Sequence, residues 1–150
     1  MRDGIKQRLI ADIPAIGGRV LEPQEPYAAV DKPYLVVQQG RETGASGFPG
    51  FRRRYEVWVY EARTAGFAAV DEWASAVIQS LDEQTVVDPD TGETWCLRYI
   101  GSFGRDRIDA DRDAIGRCLR FAVDAVQPAT QAETVPDDPW LTALGQWTAA

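Results

Sequence analysis

Between Phe51 and Leu81 a run with the period of a β-strand passes directly into one with the period of an α-helix. In FRRRYEVWVY, Tyr55, Val57 and Val59 alternate with Glu56, Trp58 and Tyr60, the period of two expected of a pleated sheet. In TAGFAAVDEWASAVIQSL, Phe67, Val70, Trp73, Ala74, Val77, Ile78 and Leu81 recur at steps of three and four, which makes one broad apolar stripe. Phe67, Val70, Trp73, Val77 and Leu81 are therefore the expected core of a helix-on-sheet contact. Burying large side chains at about 1.5–3 kcal/mol each, this face contributes on the order of 10 kcal/mol before conformational entropy is subtracted. No other segment carries a comparable stripe, so this is the helix expected to cover the sheet.

The remaining elements follow in order. Asp3 to Ile13 reads as a first helix with Asp3 as N-cap and Ile5, Leu9 and Ile10 on one face, ended by Pro14 and Gly17-Gly18. Arg19 to Leu21 is a short extended piece before a turn-rich link containing Pro23 and Pro26, and Tyr34 to Gln39 (YLVVQQ) reads as a strand. The loop GRETGASGFPG then carries four glycines and a proline in eleven residues, too long for a tight hairpin and therefore a functional suspect. After the covering helix, Asp88-Pro89-Asp90-Thr91-Gly92 has turn chemistry between Gln84–Asp88 and Glu93–Ser102. A charged loop is expected from Gly104 to Asp113, and IGRCLRFAVDAV is the last strand, apolar on one face apart from Arg117. The expected fold is α+β: a mostly antiparallel sheet with two helices on one face, in the order α-β-β-α-β-β-β.

A length of 150 residues fits one domain, here placed at residues 1–126. Residues 127–137 (QPATQAETVPD) have linker composition. Residues 138–150 read as a tethered short amphipathic helix, with Asp138 as N-cap, Pro139 at the first position and Trp140, Leu141, Leu144 and Trp147 on one side. No apolar run is long enough to span a bilayer, and the N-terminus mixes acids with bases, unlike a signal peptide. A soluble protein made in the cytoplasm is expected, with no membrane partner.

Composition removes several chemistries. With no histidine, the commonest general base and zinc ligand are missing, as is any Ser-His or Cys-His pair. A net charge of −7 argues against a general nucleic-acid binder. Cys96 and Cys118 read as small buried hydrophobes. Asp109, Asp111 and Asp113 fall at calcium-loop positions one, three and five, but Ala114 stands where the loop needs glycine and Arg120 where it needs glutamate. No carboxylate pair comes with a nucleophile or a phosphate-cradling loop. The expectation is no catalysis, no metal and no cofactor.

Two segments remain as contact candidates. Arg41, Phe48, Phe51, Arg52, Arg53 and Arg54 lie on or beside the glycine-rich loop; they form either a solvated strand end or a contact with acids of another subunit or with passing phosphates. Trp140, Leu141, Leu144 and Trp147 either cover the domain's own core or dock on a partner.

Taken together, PYLVVQQ, the glycine-rich loop, RRYEVWVYEART running into AAVDEWASAVIQSL, and a final strand RCLRFAV resemble the tail terminator (tail completion) proteins of long-tailed bacteriophages. The resemblance covers about residues 3–126 and rests on element order and on the strand–helix pair. It implies a sheet with helices on one face and subunits that form a hexameric ring on the end of the tail tube. That ring stops tube polymerisation, meets the head-completion or connector proteins, and lets genomic DNA pass without sequence-specific binding. It also implies a place at the head-proximal end of the virion tail. The Trp-rich segment after Gln127 departs from the family pattern. The alternatives are a head-closure connector or other minor tail protein and, from another class, a small cytoplasmic adaptor domain.

Overall fold

The structure is a computed structural model in which residues 1–40, 43–44 and 51–125 are described. Helix α1 (Arg2–Asp12) and a 3-10 turn (Pro14–Ile16) lead into β1 (Val20–Leu21), β2 (Tyr34–Gln39), β3 (Thr43–Gly44) and β4 (Phe51–Ala62). A second 3-10 turn (Arg63–Ala65) opens α2 (Gly66–Leu81), followed by β5 (Gln84–Val87), β6 (Thr94–Asp109) and β7 (Ala114–Ala125). The strands form one curled seven-stranded sheet in the order β1-β2-β4-β7-β6-β5, with β3 paired to β4. All pairings are antiparallel except β1 with β2. The architecture is the expected α+β one, with β1 and β3 as two short additions to the expected strand order.

The period of two in β4 sorts its side chains onto two faces. Tyr55, Val57 and Val59 turn toward the helices and join Ile5, Leu9, Val70, Ala74, Val77, Leu81, Leu119 and Phe121 in the main core. On the opposite face Tyr60 packs with Tyr34, Val36 and Ala114, and the link after β1 covers them with Tyr27 and Val30. The link therefore does for one corner of the outer face what the helices do for the inner one.

Four expectations are corrected here. Phe67 is not core: it is 48% exposed, because it sits in the first turn of α2, before the stripe meets the sheet. Val70, Val77 and Leu81 are fully buried, whereas Trp73 is half-buried and packs against the core from its margin. In α1, Ile5 and Leu9 are buried but Ile10 is 40% exposed; the helix begins at Arg2 with no side-chain cap, so Asp3 lies within its first turn. Finally, the expected loop from Gly104 to Asp113 is mostly strand. β6 continues to Asp109 against β7, with register shifts between Tyr99 and Gly101 and between Phe103 and Arg107. Pairing with β7 overrides the low strand propensity of GRDRID, and the shifts are bulges that absorb the mismatch.

Helix α1 ties together two strands that lie at opposite ends of the sheet order. A Cβ on Gly4 would lie 2.4 Å from the Val87 carbonyl oxygen, so the helix backbone rests directly on β5. Arg8 donates to the Gln84 side-chain carbonyl at 3.0 Å. On the other side Arg2 and Lys6 lie 3.2 and 3.7 Å from the Glu22 carboxylate, just after β1. One helix thus contacts both margins of the curled sheet.

Candidate interaction surfaces

Two connections meet at one end of the sheet. The β2–β4 connection and the β5–β6 turn share that end: Val123 pairs with both Arg53 and Leu97, and the Arg53 guanidinium lies 5.4 Å from the Trp95 ring centroid. Arg53 is exposed and Arg54 half-buried. The Arg54 carbonyl accepts from the Gly40 N–H at 2.7 Å, which holds the loop base closed. Phe51 and Arg52 belong to β4 by backbone, paired with Gly44 and Thr43. Arg41 and Phe48 lie outside the described residues. So do the linker 127–137 and the segment 138–150 with Trp140, Leu141, Leu144 and Trp147.

The acids of late β6 and the β6–β7 turn are largely engaged within the chain. Asp106 accepts two bonds from Arg117, at 2.7 and 2.5 Å. Asp109 caps the β6–β7 turn by accepting the Asp111 and Arg112 N–H groups at 3.1 Å each. Asp113 lies 3.2 Å from Arg63. Of the calcium-like trio, Asp109 turns to the backbone of its own turn and Asp113 to Arg63. Among the described residues no group of three or more Asp, Glu, Cys or His is placed to hold a metal.

Arg117, the one charge on the apolar face of β7, is held between two elements. Its guanidinium meets Asp106 of β6 and Asp71 of α2, the latter at 2.6 Å. These hydrogen bonds, that to Asp106 foremost, hold the guanidinium well above its ordinary range against the cost of burial. The exception in the sequence pattern is thus an ionic clasp that locks α2 onto the sheet.

The outer face carries the feature that sequence reading passed over. Along β4 and β7 the register sets Arg54 beside Ala122, Glu56 beside Arg120, Trp58 beside Cys118 and Tyr60 beside Gly116, and β6 adds Arg98 beside Ala122 and Arg107 beside Gly116. The Arg107 guanidinium stacks 5.0 Å from the Trp58 ring centroid. Arg112 stacks at 4.0 Å on Tyr27 and 4.5 Å on Tyr60 and donates to the Tyr34 hydroxyl at 3.0 Å. Between these two arginines lies a depression of about 260 Å³ floored by Val36, Trp58 and Tyr60. Gly116 makes room for this arrangement, since a Cβ there would come within 2.9 Å of the Tyr60 ring. Glu56 accepts from Gln38 at 2.6 Å and lies 3.5 Å from Arg120. The signal was present in Trp58 and Tyr60: a strand with aromatic residues on both faces is covered, at least in part, on both.

Cys118 is buried beneath that face, and burial, with the Glu56 carboxylate beside it, pushes its thiol up to about 12. Such a group is a small hydrophobe at neutral pH rather than a nucleophile. Cys96 is half-buried and also a free thiol.

No known protein-family profile matches the sequence. No curated protein matches it either. The fold does have a solved counterpart. The chain is similar to a chain in the structure described as "Virion of native gene transfer agent (GTA) particle", with a TM-score of 0.60 and 22% identity. The alignment covers 83% of this chain and 93% of that one. The two share a fold over nearly all of the solved chain. Among the described residues, no helix is long and apolar enough to cross a membrane.

Proposed function

We propose that this chain is a structural, non-catalytic virion protein that assembles as a hexameric ring on the tail tube. There it ends tube growth and offers a joining surface to the head-completion or connector protein, with a channel for DNA. The observation that carries the reading is the fold match to a chain of a gene transfer agent virion, extending over 83% of this chain. The order of elements and the strand–helix pair from Phe51 to Leu81 support it independently through their resemblance to tail terminators.

The physical chemistry is consistent with such a role. A ring repeats one heterologous contact about an axis, so each subunit needs two different and complementary patches. A net charge of −7 keeps a channel from trapping the phosphate backbone. The arginines of the Arg41 to Arg54 region supply one contact element, for a neighbouring subunit or the tube.

Native mass spectrometry with negative-stain imaging tests the assembly: a six-subunit species, or rings on tube ends in the presence of tube protein, is the expected result. A stable monomer at high concentration and with tube protein present overturns it. The position of the protein in an intact particle distinguishes a tube cap from a connector.

A further inference from the structure

Among the described residues, two groups of charged side chains without ion pairs lie on the sheet's outer face and around its β5 margin. On the outer face of the sheet, Arg54, Arg98 and Arg107 take part in no ion pair among the described residues, and Arg98 and Arg107 are exposed. Four acids in the same condition surround β5. Asp3 lies on α1 where that helix rests on Val87, Glu83 precedes β5, and Asp90 and Glu93 follow it in the turn to β6. All four are exposed. The link that covers the outer face reaches only the corner of Tyr34, Tyr60 and Ala114. Among the described residues, no helix covers the row Arg54–Ala122–Arg98 or the stacked pair Arg107–Trp58.

Resting on the ring reading above, we propose that the outer face of β4, β7 and β6 is the receiving half of the subunit contact, and that its occupant is the acidic β5 flank of a second copy. Two arguments select this occupant. Copies of a chain with net charge −7 repel one another at a distance, so close association requires a pairing that sets unlike patches together. The two patches are also different surfaces of one chain, one a sheet face and the other a sheet margin, so their contact is head-to-tail and repeats around an axis. Arg107 is presented for such a contact: stacking on Trp58 fixes its plane, and a planar guanidinium held in place can grip a carboxylate with two parallel bonds. The depression beside it, of about 260 Å³, is lined by the guanidiniums of Arg107 and Arg112 together with the one carboxylate of Asp109.

The test is a charge exchange in the full chain. One variant carries Arg98→Glu and Arg107→Glu; the other carries Asp90→Arg and Glu93→Arg. All four positions are exposed, and unchanged thermal melting of each variant shows that the fold is retained. Each variant alone should associate at least about tenfold more weakly than the wild type by sedimentation velocity, because like charges then face each other at every contact. Mixed in equal amounts, they should recover the wild-type assembly with alternating composition, since every contact again joins unlike charges. If both variants assemble as the wild type does, the proposed surfaces are wrong while the ring reading stands. Failure of the mixture to assemble overturns the pairing of these two surfaces. A wild-type chain that stays monomeric to millimolar concentration overturns the ring reading itself. Labelled duplex DNA distinguishes the other source of negative charge. If the Arg98/Arg107 variant forms normal assemblies but loses DNA binding that the wild type shows, the face serves nucleic acid and the proposal falls.

Discussion

The indole Nε1–H of Trp73 donates to the carboxylate of Glu61 at 2.9 Å, joining the middle of α2 to the end of β4. Glu61 is 6% exposed and also accepts the Ala62 N–H at 2.8 Å. A buried carboxylate with its donors supplied costs little; with one donor removed it keeps its desolvation penalty. Trp73→Phe should therefore destabilise the chain by about 1–3 kcal/mol in urea unfolding. Adding Glu61→Leu to Trp73→Phe should recover part of the loss, because the stranded acceptor is gone. A double variant worse than the sum of the singles would show that the pair is not coupled in this way.

Gly4 presents two opposing effects. Alanine is the better helix former by about 1 kcal/mol, yet its Cβ would lie 2.4 Å from the Val87 carbonyl oxygen. Backbone cannot yield there as a flexible side chain would, and overpacking costs about 1–3 kcal/mol. Gly4→Ala should therefore lower the thermal midpoint despite its helix propensity. Hydrogen exchange should show faster opening in β5 before β4.

Arg117→Leu removes the clasp between α2 and β6. The substitution suits an apolar face, but it leaves the Asp106 and Asp71 carboxylates without their cation. A net loss of about 1–3 kcal/mol is expected, measured by chemical unfolding. The variant Arg117→Leu/Asp106→Asn should lose less than Arg117→Leu alone.

The alkaline limb of stability follows from Cys118 and Tyr60. Burial raises the Cys118 thiol from an ordinary value of 9.0 to about 12 and the Tyr60 phenol from 10.0 to about 12. Both remain protonated in the folded chain at pH values where the unfolded chain releases its protons. Their stabilising contribution is complete below about pH 9 and is lost as pH rises toward about 12. Cys118→Ala should flatten the first part of that decline, read from unfolding midpoints between pH 8 and pH 11. Native protein at pH 8 should show no reaction of Cys118 with a thiol reagent until denaturant is added.

Truncation after Gln127 separates the two roles open to the Trp-rich segment. Unchanged melting with loss of assembly places Trp140, Leu141, Leu144 and Trp147 on a partner; a lowered melting temperature places them on the domain's own core.

Much of this architecture was legible from residue pattern. The β-rich composition of YLVVQQ located β2. Hydrophobic period located β4 and α2, because a strand or a helix that buries one side must repeat its apolar residues at its own geometric period. The same rule placed Val70, Val77 and Leu81 in the core. It failed at Phe67, since periodicity assigns a face but not where along that face the sheet begins. It failed again over Gly104 to Asp109, where local composition spoke for a loop and pairing with β7 decided for a strand.

The sequence by itself determined the element types, the α+β class and the chemistry set aside by the lack of histidine. Those are properties of local periodicity and of residue inventory, which need no knowledge of distant neighbours. Only the tertiary structure decided that α1 bridges β1 and β5, that Arg117 meets Asp71 and Asp106, and that Arg107 stacks on Trp58. Each of these joins residues far apart in the chain, and what brings them together is strand register and helix docking, which local sequence does not encode.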